Sequence, residues 1–157
     1  MCRNFQPRED TLLDLVLAVA HHLLIFSLFG VLMAEFVVVR PGMTNVMVER
    51  IAAIDLWYGV LAALILAVGF GRAIFAAKGW LYYSHNAFFW AKIGVFVIIG
   101  LLSVPPTLAF IRWRSGADAP EDPQISRIRG LLWAEVVLFL LLPVFAAAMA
   151  RGYGEFG

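Results

Sequence analysis

The stretch Thr11–Val39 reads TLLDLVLAVAHHLLIFSLFGVLMAEFVVV, and its reading decides the fold. It outlasts the roughly 20 apolar residues that carry a helix across the bilayer hydrocarbon. It also far exceeds the roughly 7–15 residues of a signal-peptide core. The preceding segment, Met1 to Asp10, mixes Arg3 and Arg8 with Glu9 and Asp10. The run is therefore expected to be a retained membrane helix.

Three further apolar runs follow, so the predicted spans are residues 11–39, 54–77, 87–111 and 125–150. Lipid offers the backbone no hydrogen-bond partners, and strand-like alternation is absent, so helices are the expected way across. The connections are short, which sets successive helices antiparallel. Arg40-Pro41-Gly42 stops the first helix, Lys78-Gly79 the second, and Ser84-His85-Asn86 caps the third; Arg112–Gln124 is a polar surface loop. The fold class is all-α, an integral membrane bundle of four antiparallel transmembrane helices in one domain.

Composition agrees. The chain is 62% hydrophobic and 15% charged, against roughly 25% charged in soluble proteins. A net charge of +1 gives no basic footprint for nucleic acid. The single cysteine, Cys2, excludes an internal disulfide and a cysteine metal site.

Four crossings place both termini on one face, side A. Trp80, Tyr82, Tyr83 and Trp90 form an aromatic belt there, and Trp57, Tyr58, Trp113 and Trp133 form one on side B. Arg3, Arg8, Arg72, Lys78 and Arg151 on side A nearly balance Arg40, Arg50, Arg112, Arg114, Arg127 and Arg129 on side B. The arginines clustered around one loop favour a cytoplasmic side B, with non-cytoplasmic termini.

Ionisable groups within spans are costly and mark candidate function. Asp14, His21 and Glu35 recur at sevenfold spacing with Leu28, and seven residues drift by only about 20°, so they share a stripe. His22 sits on the flank. Each histidine reads either as interhelical glue or as a haem or metal ligand or proton relay; His21 is favoured as the metal ligand. Lys92 reads either as a snorkelling cation or as one aimed into the bundle. His85 reads as a solvated interfacial residue. Arg72 reads either as an interfacial residue or as a bidentate partner for a propionate or phosphate.

Gly59, Ala63, Ala67 and Gly71 recur at spacing of four, after Asp55. Such a row packs helices closely, and it also admits a flat ring. Pro105-Pro106 should kink the third helix and Pro143 the fourth, with Ser103 or a water satisfying the Leu101 and Leu102 carbonyls freed by the first pair. Glu135 is the deepest acid on side B, placed to pair with Arg112 or Arg129 or to carry a proton.

His21-His22-Leu23, Asp55-Leu56-Trp57-Tyr58-Gly59, Gly69-Phe70-Gly71-Arg72, Phe89-Trp90-Ala91-Lys92 and Gly100 to Thr107 together resemble one family. It is the bacterial predicted-membrane-protein family, domain of unknown function 2214, over about Leu12 to Gly152. The resemblance implies a multi-pass inner-membrane protein and brings no activity. A remoter similarity, in the helix-one histidine, the glycines of helix two and Trp90 with Lys92, is to HemJ-type protoporphyrinogen oxidases and CopD-like membrane proteins. It implies that His21 or His22, with Lys92, is haem-linked.

The first functional reading is thus a haem b or porphyrin site with a redox role, using His21 or His22, Lys92 and Arg72, and no other cofactor. The second is a non-catalytic subunit of a homo-oligomer or larger membrane complex. The third is ion or proton handling by Asp14, His21, Glu35 and Lys92. Whether the chain is an enzyme does not follow. Membrane lipids are partners on every reading.

Overall fold

A computed structural model describes residues 7–75, 79–116 and 120–156, and side chains within these except those of 7–11 and 79. The expectations placed on Cys2, Arg3 and Lys78, and on the side chain of Arg8, lie outside the described residues.

Among the described residues six helices follow in order: α1 (Pro7–Val38), α2 (Asn45–Phe75), α3 (Gly79–Ser84), α4 (Ala87–Arg114), α5 (Asp122–Phe139) and α6 (Leu141–Ala150). Helices α1, α2 and α4, and α5 continued by α6, are long and apolar enough to cross a membrane. No strand occurs among the described residues. α1 packs on α2 and α5, and α4 packs on α2, α5 and α6. The spans form a ring, with α1 diagonal to α4 and α2 diagonal to α5.

α2 begins at Asn45 rather than at 54. Glu49 and Arg50 interrupt the apolar run, yet neither breaks a helix. Val48, Ile51 and Ala52 are buried at helical spacing, and Thr44 accepts from the Met47 and Val48 amides. α1 stops one residue short of 39, and the turn after it uses Gly42 at φ 76°. α4 runs on to Arg114. Its first turn is capped by Asn86, whose side chain accepts from Phe88 and Phe89.

The two proline expectations part company. α4 continues as one helix through Pro105 and Pro106, and Ser103 Oγ donates to the Gly100 carbonyl, not to those of Leu101 or Leu102. The fourth span breaks at Leu140. Pro143 has no N–H for the Phe139 carbonyl and its ring crowds that carbonyl, so the helix opens there. The short helix α3 lies in a stretch read only as a connection. It is pinned by aromatics: Tyr82 donates to the Met149 carbonyl, Trp90 donates to the Ser84 carbonyl, and Trp80 meets Phe89 edge-on.

Polarity is distributed inside out. Leu23, Phe26, Leu56, Phe75 and Leu101 are more than half exposed, whereas Glu35, Asp55, Asn86 and Glu135 are buried. In water this would be ruinous; in a bilayer it is the cheaper arrangement, because hydrocarbon covers the apolar rim. Tyr58 and Trp113, expected in the side B belt, are instead buried. Each has a polar atom claimed from within, by Glu135 and by Gln124.

Candidate functional site

Sevenfold spacing along each span stacks the interior into layers about 10 Å apart. On α1 the series is His21, Leu28, Glu35; on α2 it is Arg72, Ile65, Tyr58; on α4 it is Lys92, Ile99, Pro106. The middle members Leu28, Ile65 and Ile99 are buried in the core cluster, with Leu142 seven residues beyond Glu135. An apolar layer therefore divides two polar ones.

The side A layer holds His21, Arg72 and Lys92. His21 faces α2, where a Cβ on Gly69 would lie 3.1 Å from its Cε1. The ring takes space that only a glycine leaves. Its Nδ1 is buried and has no hydrogen-bond partner. Lys92 and Arg72 are close enough to act on it electrostatically, and the Lys92 side chain is only partly exposed. Asp14 meets Arg72 Nε at 3.4 Å, both side chains about one-third exposed, which fixes the guanidinium at the mouth of the layer.

His22 does not join. It is exposed, and its Nδ1 lies 2.6 Å from the Ala18 carbonyl of its own helix. His85 is also exposed, with Nδ1 at 3.0 Å from the Leu81 carbonyl.

The side B layer holds Glu35, Asp55, Glu135, Tyr58 and Thr107. Tyr58 donates to Glu135 Oε2 at 3.0 Å across the α2–α5 diagonal, and Thr107 donates to Asp55 Oδ1 at 2.8 Å. Oε1 of Glu35 and Oε1 of Glu135 are buried without partners. Neither Arg112 nor Arg129 pairs with Glu135. Arg112 is exposed, while Arg129 donates to the carbonyls of Phe36 and Val39 and stands over the Phe36 ring. It closes the C-terminal end of α1, where carbonyls lack helical donors.

This layer was not legible as a unit. Its acids were each visible, but the role of Tyr58 was masked by its place near an expected belt. Asp14, His21 and Glu35 share a stripe as read, yet belong to different layers: fourteen residues separate His21 from Glu35, about 21 Å along the axis. Among the described residues no group of three His, Cys, Asp or Glu is placed to hold a metal ion. A metal held by His21 would need a group that brings its own remaining ligands.

The row Gly59, Ala63, Ala67 and Gly71 was expected to pack a helix closely, within the bundle or at a docking surface, or to admit a flat ring. Its first three members are exposed and Gly71 is partly so. The close approach is made one face over, by Gly69.

These features define a four-span helical membrane protein with a buried polar layer on side B and a half-buried one on side A. The chain belongs to the predicted membrane protein family DUF2214, whose family model matches residues 13–154. No curated protein and no solved structure matches it.

Proposed function

We propose that the side A layer holds a b-type haem or a related porphyrin, giving the protein a redox or porphyrin-related role in the membrane. The observation that carries this reading is the His21 imidazole: half-buried, with a buried and unpartnered Nδ1, seated against a glycine and within electrostatic reach of two cations. An orphaned buried ring nitrogen costs on the order of 1–3 kcal/mol, and a ligand to it removes that cost. A porphyrin supplies four ring nitrogens of its own, so one histidine suffices where a bare ion would need more protein donors.

The chain's own residues then have distinct tasks. His21 presents a nitrogen from a helix rather than a loop, which fixes its direction. Gly69 leaves the ring its room. Lys92 and Arg72 are the cations for anionic groups at the edge of a bound ring, and Asp14 orients Arg72. The chemistry a haem contributes is one-electron transfer, its potential set by axial ligand, burial and neighbouring charge.

The test is titration of the detergent-purified apoprotein with haem, followed by absorbance. Wild type and His22→Ala should bind one equivalent, and His21→Ala should lose the bound spectrum. Equal binding by His21→Ala would reject the assignment.

A further inference from the structure

Between α2 and α4 lies a cavity of about 430 Å³ that the side A layer does not touch. Its volume falls within the range of small-molecule sites. Gly59 and Ala63 on α2 and Gly100 on α4 line it near the middle of the spans and are exposed. The cavity therefore opens to hydrocarbon, and its occupant arrives dissolved in the bilayer. Glycine and alanine on facing helices leave a slot between backbones, and Phe96 and Ile99 give it apolar walls.

At the side B end the lining turns polar, with Asp55, Ser103 and Thr107. The hydrogen bonds there select the ligand. Thr107 spends its hydroxyl on Asp55 Oδ1, Ser103 spends its own on the Gly100 carbonyl, and Tyr58 spends its own on Glu135. The side-chain hydroxyls are committed as donors. Asp55 is more than nine-tenths buried, and among the described residues only Thr107 donates to it. With Asp55 as a carboxylate, the slot offers an acceptor and lacks a side-chain donor.

We propose that this groove binds a membrane-dissolved ring bearing a hydroxyl group, of the phenol or quinol class, with that hydroxyl donating to Asp55. A ring carrying only carbonyl oxygens finds no side-chain donor there. The apolar tail of such a compound leaves through the open side into lipid. Glu35, Glu135 and Tyr58 form the buried polar wall behind Asp55. The inference does not rest on the porphyrin reading, since His21, Arg72 and Lys92 do not line the groove.

The test uses the full chain in lipid nanodiscs and a decyl-tailed hydroquinone with a diazirine in its tail. Photolysis should cross-link α2 and α4 around the groove. Excess decyl hydroquinone should suppress labelling at least tenfold, and its dimethyl ether should not. Gly59→Leu and Gly100→Leu fill the slot from positions where a new Cβ meets nothing within 4 Å, so both should fold and lose tenfold or more of the labelling. Asp55→Asn should weaken it comparably, while Gly30→Leu on α1 should leave it unchanged. Labelling spread evenly over all lipid-facing helices would overturn the proposal. So would equal competition by the ether, or conversion of a dimer to a monomer by Gly59→Leu, which would make a second copy the occupant.

Discussion

Two adjacent histidines show how much a single position decides. His21 points at α2 and His22 at its own preceding turn. The sevenfold stripe with Asp14 and Glu35 favoured His21 in the sequence, because residues seven apart on a helix share a face. What the stripe could not show is Gly69, since contact between helices leaves no trace in the period of either one. Gly69→Ala should displace the His21 ring and lower haem retention severalfold, whereas Gly59→Ala, with open space around its Cβ, should leave haem content unchanged. Pyridine haemochrome assays of both variants decide this. The Tyr58–Glu135 hydrogen bond makes a second residue-scale prediction. Interhelical bonds in membranes contribute about 0.5–2 kcal/mol, so Tyr58→Phe should destabilise the bundle by about 1 kcal/mol. A double-mutant cycle with Glu135→Leu, which leaves Tyr58 no acceptor there, read by unfolding in mixed micelles, should return most of that as coupling.

At the scale of elements, the two proline sites had equal standing in the sequence and fared differently. Pro105 and Pro106 are absorbed within α4, while Pro143 accompanies a break between α5 and α6. Pro143→Ala restores the missing donor and should join the two helices. Spin labels at positions 130 and 150 would then lie about 30 Å apart along a straight helix, farther than in wild type. An unchanged distance would place the cause of the break elsewhere. The early start of α2 has a different lesson. Apolar length measures the hydrocarbon crossing, whereas a helix continues into the headgroup zone until something stops it, here the turn through Pro41 and Gly42.

Over the whole molecule, span number and fold class were readable because the bilayer imposes them: long apolar runs have no other stable backbone arrangement. Which face of each span points inward was readable only where a charge marked it. On α2 Asp55 is buried, while Gly59, Ala63 and Ala67, which follow it at spacing of four, are exposed. The interior is two polar layers closed off from each other by Leu28, Ile65, Ile99 and Leu142. A direct side-chain relay from His21 to Glu35 is interrupted at Leu28, which leaves the side A layer as a local site. Its proposed occupant is the central claim. The measurement that tests it most directly is the visible spectrum of the detergent-purified protein, produced with ample haem, first oxidised and then reduced with dithionite. A near-stoichiometric Soret band, sharpening into α and β bands on reduction, is the predicted result. A flat spectrum from folded protein would contradict it and favour a non-catalytic subunit of a larger membrane complex.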